Sequence, residues 1–395
     1  MQFVGGNRLT LLRNGEQYFP ALARAIDAAA EEIFLETYIF ADDETGSLIA
    51  DALARAAARG VAVHLLLDGF GARDFAPRFR RALTEAGARV LVFRPRISPW
   101  TLRRNRLRRM HRKLACVDGR VAFAGGINVV DDFEGAARTP PRCDYAVRIE
   151  GPLVADVRAA AERMWSRVAW ASLGRRWPGF DALRGRARRP APARSAPLPA
   201  GQRAALVVRD NVRHRHDIEE AYLRLIGEAR EEIFIACAYF FPGRRFRRAL
   251  VAAARRGVRV VLLLQGRPEY LLLHFASRAL YGLLLEAGIE IEEYHLSYLH
   301  AKVAVFDRRG ACVGSSNIDP FSLLLAQEAN VFVEDAAFAR ELRESLAETM
   351  REGARAVPPQ QWRGQSLWLR MRIWIAYGIA RLLLSLFSKG SGDRR

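Results

Sequence analysis

The chain has 395 residues, half of them apolar, and carries 62 Lys plus Arg against 43 Asp plus Glu, a formal charge of +19. That length accommodates two medium domains with cores of their own, and the apolar share excludes a disordered polymer. The charge favours a polyanionic partner, either nucleic acid or an anionic membrane surface, and does not choose between them.

In chain order, the opening "MQFVGGNRLTLLRNGEQ" lacks the basic-then-apolar pattern of a signal peptide. "AEEIFLETYIF" (residues 30–40) returns as "REEIFIACAYFF" (residues 230–241), and each copy is followed by an alanine-rich helix and then by "ARGVAVHLLLDG" or "RRGVRVVLLLQG". The two halves go on to "MHRKLACVDGRVAFAGGIN" and "LHAKVAVFDRRGACVGSSN", with the asparagine 17 positions after the histidine in both. Each half thus reads helix, apolar strand, helix, apolar strand, helix and a final strand pair: an α/β duplication whose near-continuous apolar strands suit sheets covered on both faces. "RRWPGFDALRGRARRPAPARSAPLPAGQ" has no apolar period and reads as a linker. The expected division is residues 1–174, a linker at 175–202, a second domain at 203–355 and a basic amphipathic tail at 356–395. Cys116, Cys143, Cys237 and Cys312 form no C-x-x-C pair, so neither a disulfide framework nor a zinc site is expected, and reduced cytosolic thiols are the simplest reading.

Only three of the 62 basic residues are lysines, and two of these, Lys113 and Lys302, stand two positions after His111 and His300. Side chains two apart on a strand share a face, so each His-Lys pair projects together from a sheet edge. Asp118 and Asp307 lie seven positions beyond the histidines, an odd separation that turns them to the opposite face as supports. An imidazole, an ammonium and an asparagine amide suit a phosphodiester: neutral His attacks phosphorus while Lys113, Lys302, Asn128 and Asn317 hold its oxygens. Two sets face to face supply the whole mechanism, one His forming a phosphohistidine and the other acting as proton carrier. No metal or cofactor is required, and no Asp/Glu cluster is spaced to hold one. Asp144 and Glu328 are the candidates for fixing the imidazole tautomers.

The run "TLRRNRLRRM" before the first motif suits an anionic leaflet, with a solvated loop as the alternative. "YLLLHFASRALYGLLLEAG" (residues 270–288) reads as core or as the lining of an acyl-chain channel. The tail "SLWLRMRIWIAYGIARLLLSLF" is interrupted by Arg370, Arg372 and Arg381, so it is too polar to span a bilayer. It reads as a helix lying in the membrane interface, with docking onto the domain as the alternative.

These residues resemble the phospholipase D superfamily, whose signature is H-x-K-x4-D-x6-G-S-x-N. His300, Lys302, Asp307, Gly314, Ser315 and Asn317 match every defined position, and the first copy matches with Gly126 in place of the serine. "NGEQYFPAL", "FLETYIF", "LLLDGFG", "DYAVRIEGP" and "GSSNIDPFSLLLAQEANV" extend the likeness to bacterial cardiolipin synthases over roughly residues 7–350. The resemblance implies two tandem phospholipase D-like domains, each a mixed sheet flanked by helices, related by pseudo-two-fold symmetry around one active site. It implies His111, Lys113, Asp118, His300, Lys302 and Asp307 as the catalytic set, with Asn128, Asn317 and Ser315 on the phosphate. His111 is then the nucleophile, His300 the acid/base, and Asp144 and Glu328 orient the histidines. The reaction implied is phosphatidyl transfer between two phosphatidylglycerols, with lipid hydrolysis at the same double-histidine site as the near rival and nuclease action as the more distant one. The expected partners are anionic phospholipid and a membrane surface, not nucleic acid. The longer cardiolipin synthases begin with two transmembrane segments and nothing here reads as one, so peripheral attachment to the cytoplasmic face of the cell membrane is expected.

Overall fold

The computed structural model describes residues 1–95, 108–132, 141–172, 198, 201–211, 213–364 and 366–388. In the first half the elements run β1 (Val4–Arg13), α1 (Asn14–Asp27), β2 (Glu32–Thr37), α2 (Glu44–Ala58), β3 (Ala62–Asp68), α3 (Pro77–Glu85), β4 (Arg89–Phe93), β5 (Leu114–Val117), β6 (Val121–Gly125), β7 (Tyr145–Glu150) and α4 (Val154–Ser172). The second half repeats them as β8 (Gln202–Arg209), α5 (Asp217–Glu228), β9 (Glu232–Cys237), α6 (Arg244–Arg255), β10 (Arg259–Gln265), α7 (Leu271–Arg278), α8 (Tyr281–Glu286), β11 (Glu290–Tyr294), β12 (Lys302–Phe306), β13 (Gly310–Gly314), α9 (Pro320–Leu324), β14 (Glu328–Glu334) and α10 (Ala336–Gly353). Strand β15 (Ala354–Ala356) and helices α11 (Pro359–Arg363) and α12 (Leu367–Ser388) close the chain.

The strands join in the order β15-β11-β10-β9-β12-β13-β14-β8-β1-β7-β6-β5-β2-β3-β4. Apart from β15 this order is a palindrome about the β8–β1 junction, so the duplication read in the sequence becomes a pseudo-two-fold axis at that seam. Within each half three strands pair in parallel (β2-β3-β4, β9-β10-β11) and the remainder pair antiparallel. The seam itself is short, with Val4 opposite Ala204 and Asn7 opposite Gln202.

Alternation sends the strands' side chains to two covered faces. Ile33 and Leu35 of β2 pack under α1, α2 and α3, with Leu22, Ile49, Leu53 and Phe79, and Ile233 and Ile235 of β9 pack likewise with Ile218, Tyr222 and Leu250. The opposite faces of both half-sheets share one core with α4 and α10, in which Phe34, Tyr145, Met164 and Trp165 meet Phe234, Val303, Val331 and Leu342. Continuous apolar strands are what two covered faces demand. The shared core also sets the halves rigidly against each other, which places β5 and β12 on facing sides of a single cleft.

Most of the expected linker lies outside the described residues, though Gln202 already belongs to β8. The 355/356 boundary falls inside β15, which pairs with β11, so the second domain reaches into what was read as tail. Residues 270–288 form two short helices, α7 and α8, that bury Ala276, Leu280 and Leu284 in the outer core of the second half, which is the core reading.

Candidate active site

The His-Lys segments sit where the two halves touch. Just before β5, Met110 forms a parallel bridge with Gln327, and His111 N–H donates to the Gln327 carbonyl at 2.9 Å. Just before β12, Leu299 bridges Cys143 in the same way, and His300 N–H donates to the Cys143 carbonyl at 2.8 Å. Each histidine is therefore hydrogen-bonded by its backbone to the residue that precedes the other half's candidate carboxylate.

That geometry decides the pairing of Asp144 and Glu328. His111 Nδ1 lies 3.1 Å from Glu328 Oε1 and 3.2 Å from the Ser315 carbonyl, and His300 Nδ1 lies 2.5 Å from Asp144 Oδ2. Each imidazole takes its carboxylate from the opposite half, a crossing that spacing along the chain does not reveal. With Nδ1–H donated to a carboxylate, Nε2 is the nitrogen left to react in both rings. The histidine side chains keep only 17% and 12% of their surface, while Glu328 is fully enclosed and Asp144 nearly so.

Both lysines are buried. Lys113 Nζ donates to the His111 carbonyl at 2.7 Å. Lys302 Nζ donates to the His300 carbonyl and lies 2.8 Å from His300 Nδ1 and 3.6 Å from Asp144 Oδ2. Nδ1 cannot both accept from the ammonium and donate to Asp144. The shorter carboxylate contact takes its hydrogen, and Lys302 lies alongside, satisfied by the carbonyl.

Burial, then the adjacent lysine, hold both imidazoles below their ordinary range against the pull of the carboxylates, His300 down to about 3. Burial also pushes Lys113 down to about 7 and lowers Lys302. At Asp144 burial works the other way, but Lys302 and His300 outweigh it and keep the carboxyl below its usual range. The lowering favours neutral imidazoles, the form that a nucleophile needs.

Asn128 and Asn317 occupy equivalent places. Asn128 Oδ1 accepts from Ile39 N–H at 3.2 Å and Asn317 Oδ1 from Tyr239 N–H at 3.3 Å. With each oxygen tied to the strand end, the NH2 is the end left for an oxyanion.

Three residues of the set implied by the resemblance lie away from the reacting groups, two of them as the supports that their odd spacing predicts. Asp118 and Asp307 lie in the hairpin turns beyond β5 and β12, both at φ 52°, and accept from the backbone N–H groups of residues 30–32 and 230–232. They tie the turns to the starts of β2 and β9 and are not part of the reacting set. Ser315 is fully buried and gives its hydroxyl to Glu328 Oε2 at 2.5 Å, so it braces a carboxylate and does not face phosphate. At Gly126, the matching position, an added Cβ would overlap the Asp144 carboxylate. The missing serine is the condition for the shorter acid to reach His300.

The sequence reading missed several positioning groups. Asn14, at φ 56°, clamps Asp144 from both sides: its N–H donates to the Asp144 carbonyl at 2.9 Å and its Oδ1 accepts from Asp144 N–H at 3.1 Å. Asparagine tolerates that left-handed conformation, the one local signal available. Arg209 and Asn211 clamp the carbonyls of Leu323, Leu325 and Ala326, the segment leading to Glu328. Tyr38 sets its ring edge against His111, centroids 4.9 Å apart, with the Lys113 ammonium 5.4 Å from the same ring. Of the arginine run before His111, residues 103–107 lie outside the described residues.

A family profile described as "Cardiolipin synthase, PLD-like domain" matches residues 22–165 and 222–350. Cardiolipin synthase B of Escherichia coli K12 is 43% identical over 342 residues, covering 86% of this chain and 80% of that protein. The Salmonella typhimurium protein of the same name is 40% identical over 351 residues, with 86% and 80% covered. Cardiolipin synthase 1 of Bacillus cereus is 32% identical over 319 residues, with 80% of this chain and 61% of that protein covered. Among solved structures, a phosphatidylserine synthase of Haemophilus influenzae superposes with a TM-score of 0.69 at 13% identity, covering 96% of this chain and 94% of that one. At that identity the likeness speaks for the fold, two halves around one seam. The family match over both halves and the 43% identity along most of the chain place this protein in the phospholipase D-like family of cardiolipin synthases.

Proposed function

We propose that the site transfers a phosphatidyl group from one phosphatidylglycerol to another, giving cardiolipin and glycerol. The observation that carries this reading is the crossed pair of His–carboxylate contacts: two imidazoles, each with Nδ1 held and Nε2 presented, in one cleft lined by two buried lysines.

In the first step His111 Nε2 attacks phosphorus, the bond to the glycerol oxygen breaks, and His300 supplies the proton that leaves with glycerol. Glu328 stabilises the positive charge that builds on the His111 ring. Lys113, Lys302 and the Asn128 and Asn317 amides face the charge on the non-bridging oxygens. A bound phosphate monoanion offsets the lysines and raises the His300 pKa, which is what a proton donor needs. In the second step the primary hydroxyl of the acceptor attacks phosphorus, its proton passes to His300, and the P–N bond breaks with its electron pair returning to His111.

The lipid reaches this cleft at a bilayer surface. No helix among the described residues is long and apolar enough to cross a membrane. Helix α12 docks along α7 through Ile373, Ala376 and Ala380, with Tyr377 against Phe241, so the docked reading holds for one stripe. The remainder of α12 leaves Trp368, Met371, Trp374, Ile375 and Leu382 in solvent beside Arg370, Arg372 and Arg381, next to exposed Tyr270 and Leu271 of the α7 start. Large exposed apolar side chains among cations suit an anionic leaflet. Tyr270 in turn contacts Tyr239, whose backbone holds Asn317, so the apolar face runs to the site mouth. The cytoplasmic leaflet, where the four unpaired thiols stay reduced, is the membrane face proposed.

The test is to incubate the protein with vesicles of labelled phosphatidylglycerol as the only lipid and separate the products. Cardiolipin with an equal amount of released glycerol is expected, and lost with His111→Ala or His300→Ala. Phosphatidic acid as the only labelled product would overturn transfer in favour of hydrolysis.

A further inference from the structure

One group of side chains beside His300 has no part in the chemistry above. The Cys143–Leu299 bridge sends alternate residues to the same side, so Arg142 shares a face with Asp144, and Tyr298 shares one with His300. The Arg142 Cζ lies 5.8 Å from the Tyr298 ring centroid and the Arg267 Cζ lies 5.6 Å from it. Two guanidiniums thus flank one phenol ring, and all three side chains are half-buried at the site rim. Arg142 is close enough to His300 and Lys302 to add to the lowering of both. The neighbouring rim carboxylate, Glu269, is engaged by the Tyr239 hydroxyl.

The pseudo-symmetry separates what is generic here from what is particular. Strand register makes Arg109 the equivalent of Tyr298 and Phe70 the equivalent of Arg267, and the Arg109 Cζ lies 5.4 Å from the Phe70 ring. One cation–ring pair therefore recurs on both sides with its members exchanged. The equivalent of Arg142 is Ala326, so this set carries one more cation on the His300 side than its counterpart does on the His111 side.

We propose that Arg142 and Arg267, steadied on Tyr298, form the subsite for the acceptor lipid's own phosphate; this rests on the phosphatidyl-transfer reading. Cardiolipin joins two phosphodiesters through one glycerol, so the attacking hydroxyl carries a second monoanion three carbons away. That monoanion must be held on the side where His300 removes the proton, and there the extra arginine stands. A guanidinium fork matches phosphate oxygens two at a time, and stacking on a ring fixes the fork before the ligand arrives. Water carries no such anion. The subsite therefore aids only a phosphorylated acceptor and biases the second step towards transfer.

The experiment measures the ratio of cardiolipin to phosphatidic acid made from labelled phosphatidylglycerol vesicles by the full chain and by an Arg142→Gln/Arg267→Gln double variant. The expected result is a fall in that ratio of about tenfold or more, whatever the total turnover. An unchanged ratio overturns the subsite. Because the variant can also lose all turnover, the unaltered protein is offered glycerol and glycerophosphoglycerol in competition as soluble acceptors. Preference for the phosphodiester, diminished by salt, supports the proposal, and equal use overturns it. Absence of both cardiolipin and glycerol with the unaltered protein overturns the phosphatidyl-transfer reading and the subsite with it.

Discussion

At the scale of single residues, Lys302 shows why a chain this rich in arginine keeps lysine here. Its ammonium is wedged between the His300 carbonyl, His300 Nδ1 and Asp144, with no exposed side-chain surface. A planar guanidinium is too broad for that niche and would displace the imidazole from its line of attack. Lys302→Arg is therefore expected to lower turnover on the order of a hundredfold or more, while the thermal midpoint moves little. Activity near normal would sink the size argument. Gly126→Ser, which restores the family signature, is expected to harm the enzyme: the new Cβ overlaps Asp144, so both kcat and thermal stability should fall, measured against Gly126→Ala as a partial step. The pH profile of kcat/KM follows from the lowered pKa values. Lys113, lowered to about 7 by burial, loses its proton as pH rises through that value, and phosphate binding weakens on the alkaline side. The acid limb should lie below the ordinary imidazole value of 6.5, because burial lowers the nucleophile His111. For stability the sign is the reverse: the unfolded chain keeps the Lys113 proton up to its ordinary 10.5, so burying this lysine costs stability below about 7, and that cost fades as pH rises from there. A kcat/KM that climbs steadily from pH 6 to 9 would contradict this picture.

At the scale of elements, the inner parallel strands β2, β3, β9 and β10 were legible because they are buried on both faces and read as continuous apolar runs, as in "VAVHLLLD" and "VRVVLLLQ". The strands missed were β1, β4 and β7 and their counterparts β8, β11 and β14, which mix charged and apolar residues. β1 alternates buried and exposed positions, and β7 carries Arg148 and Glu150 paired at 2.6 Å. Such strands resemble loops until a partner ladder is known, yet they build the seam and bring Asp144 and Glu328 to the cleft. The sequence of helix α12 suits both docking and an interfacial position, and the structure divides it by face: a narrow stripe of Ile373, Ala376 and Ala380 docks, while the tryptophan face stays open. Trp368→Ser together with Trp374→Ser should lower partitioning onto phosphatidylglycerol vesicles by about tenfold or more, read by vesicle sedimentation. Turnover of monomeric short-chain phosphatidylglycerol should change little. Unaltered sedimentation would assign this face to something other than lipid.

At the scale of the whole molecule, neither half owns a working histidine. His111 depends on Glu328 and His300 on Asp144, and the central core is built from α4 and α10 together. Residues 1–174 and 203–395, produced separately, should each fail to turn over phosphatidylglycerol, and co-expression should restore activity at a level set by their association. Turnover by either piece alone would break the claim of a single shared site. By itself the sequence determined the duplication, the two His-Lys-Asn sets, the carboxylates near them and the kind of chemistry they perform, because spacing along a strand is a local property that a repeat makes visible twice. Only the tertiary structure decided which carboxylate serves which histidine, that Ser315 braces Glu328, and why glycine stands at 126. These depend on contacts between residues up to 217 positions apart, set by how two half-sheets stack on a shared core, and no periodicity along the chain records them.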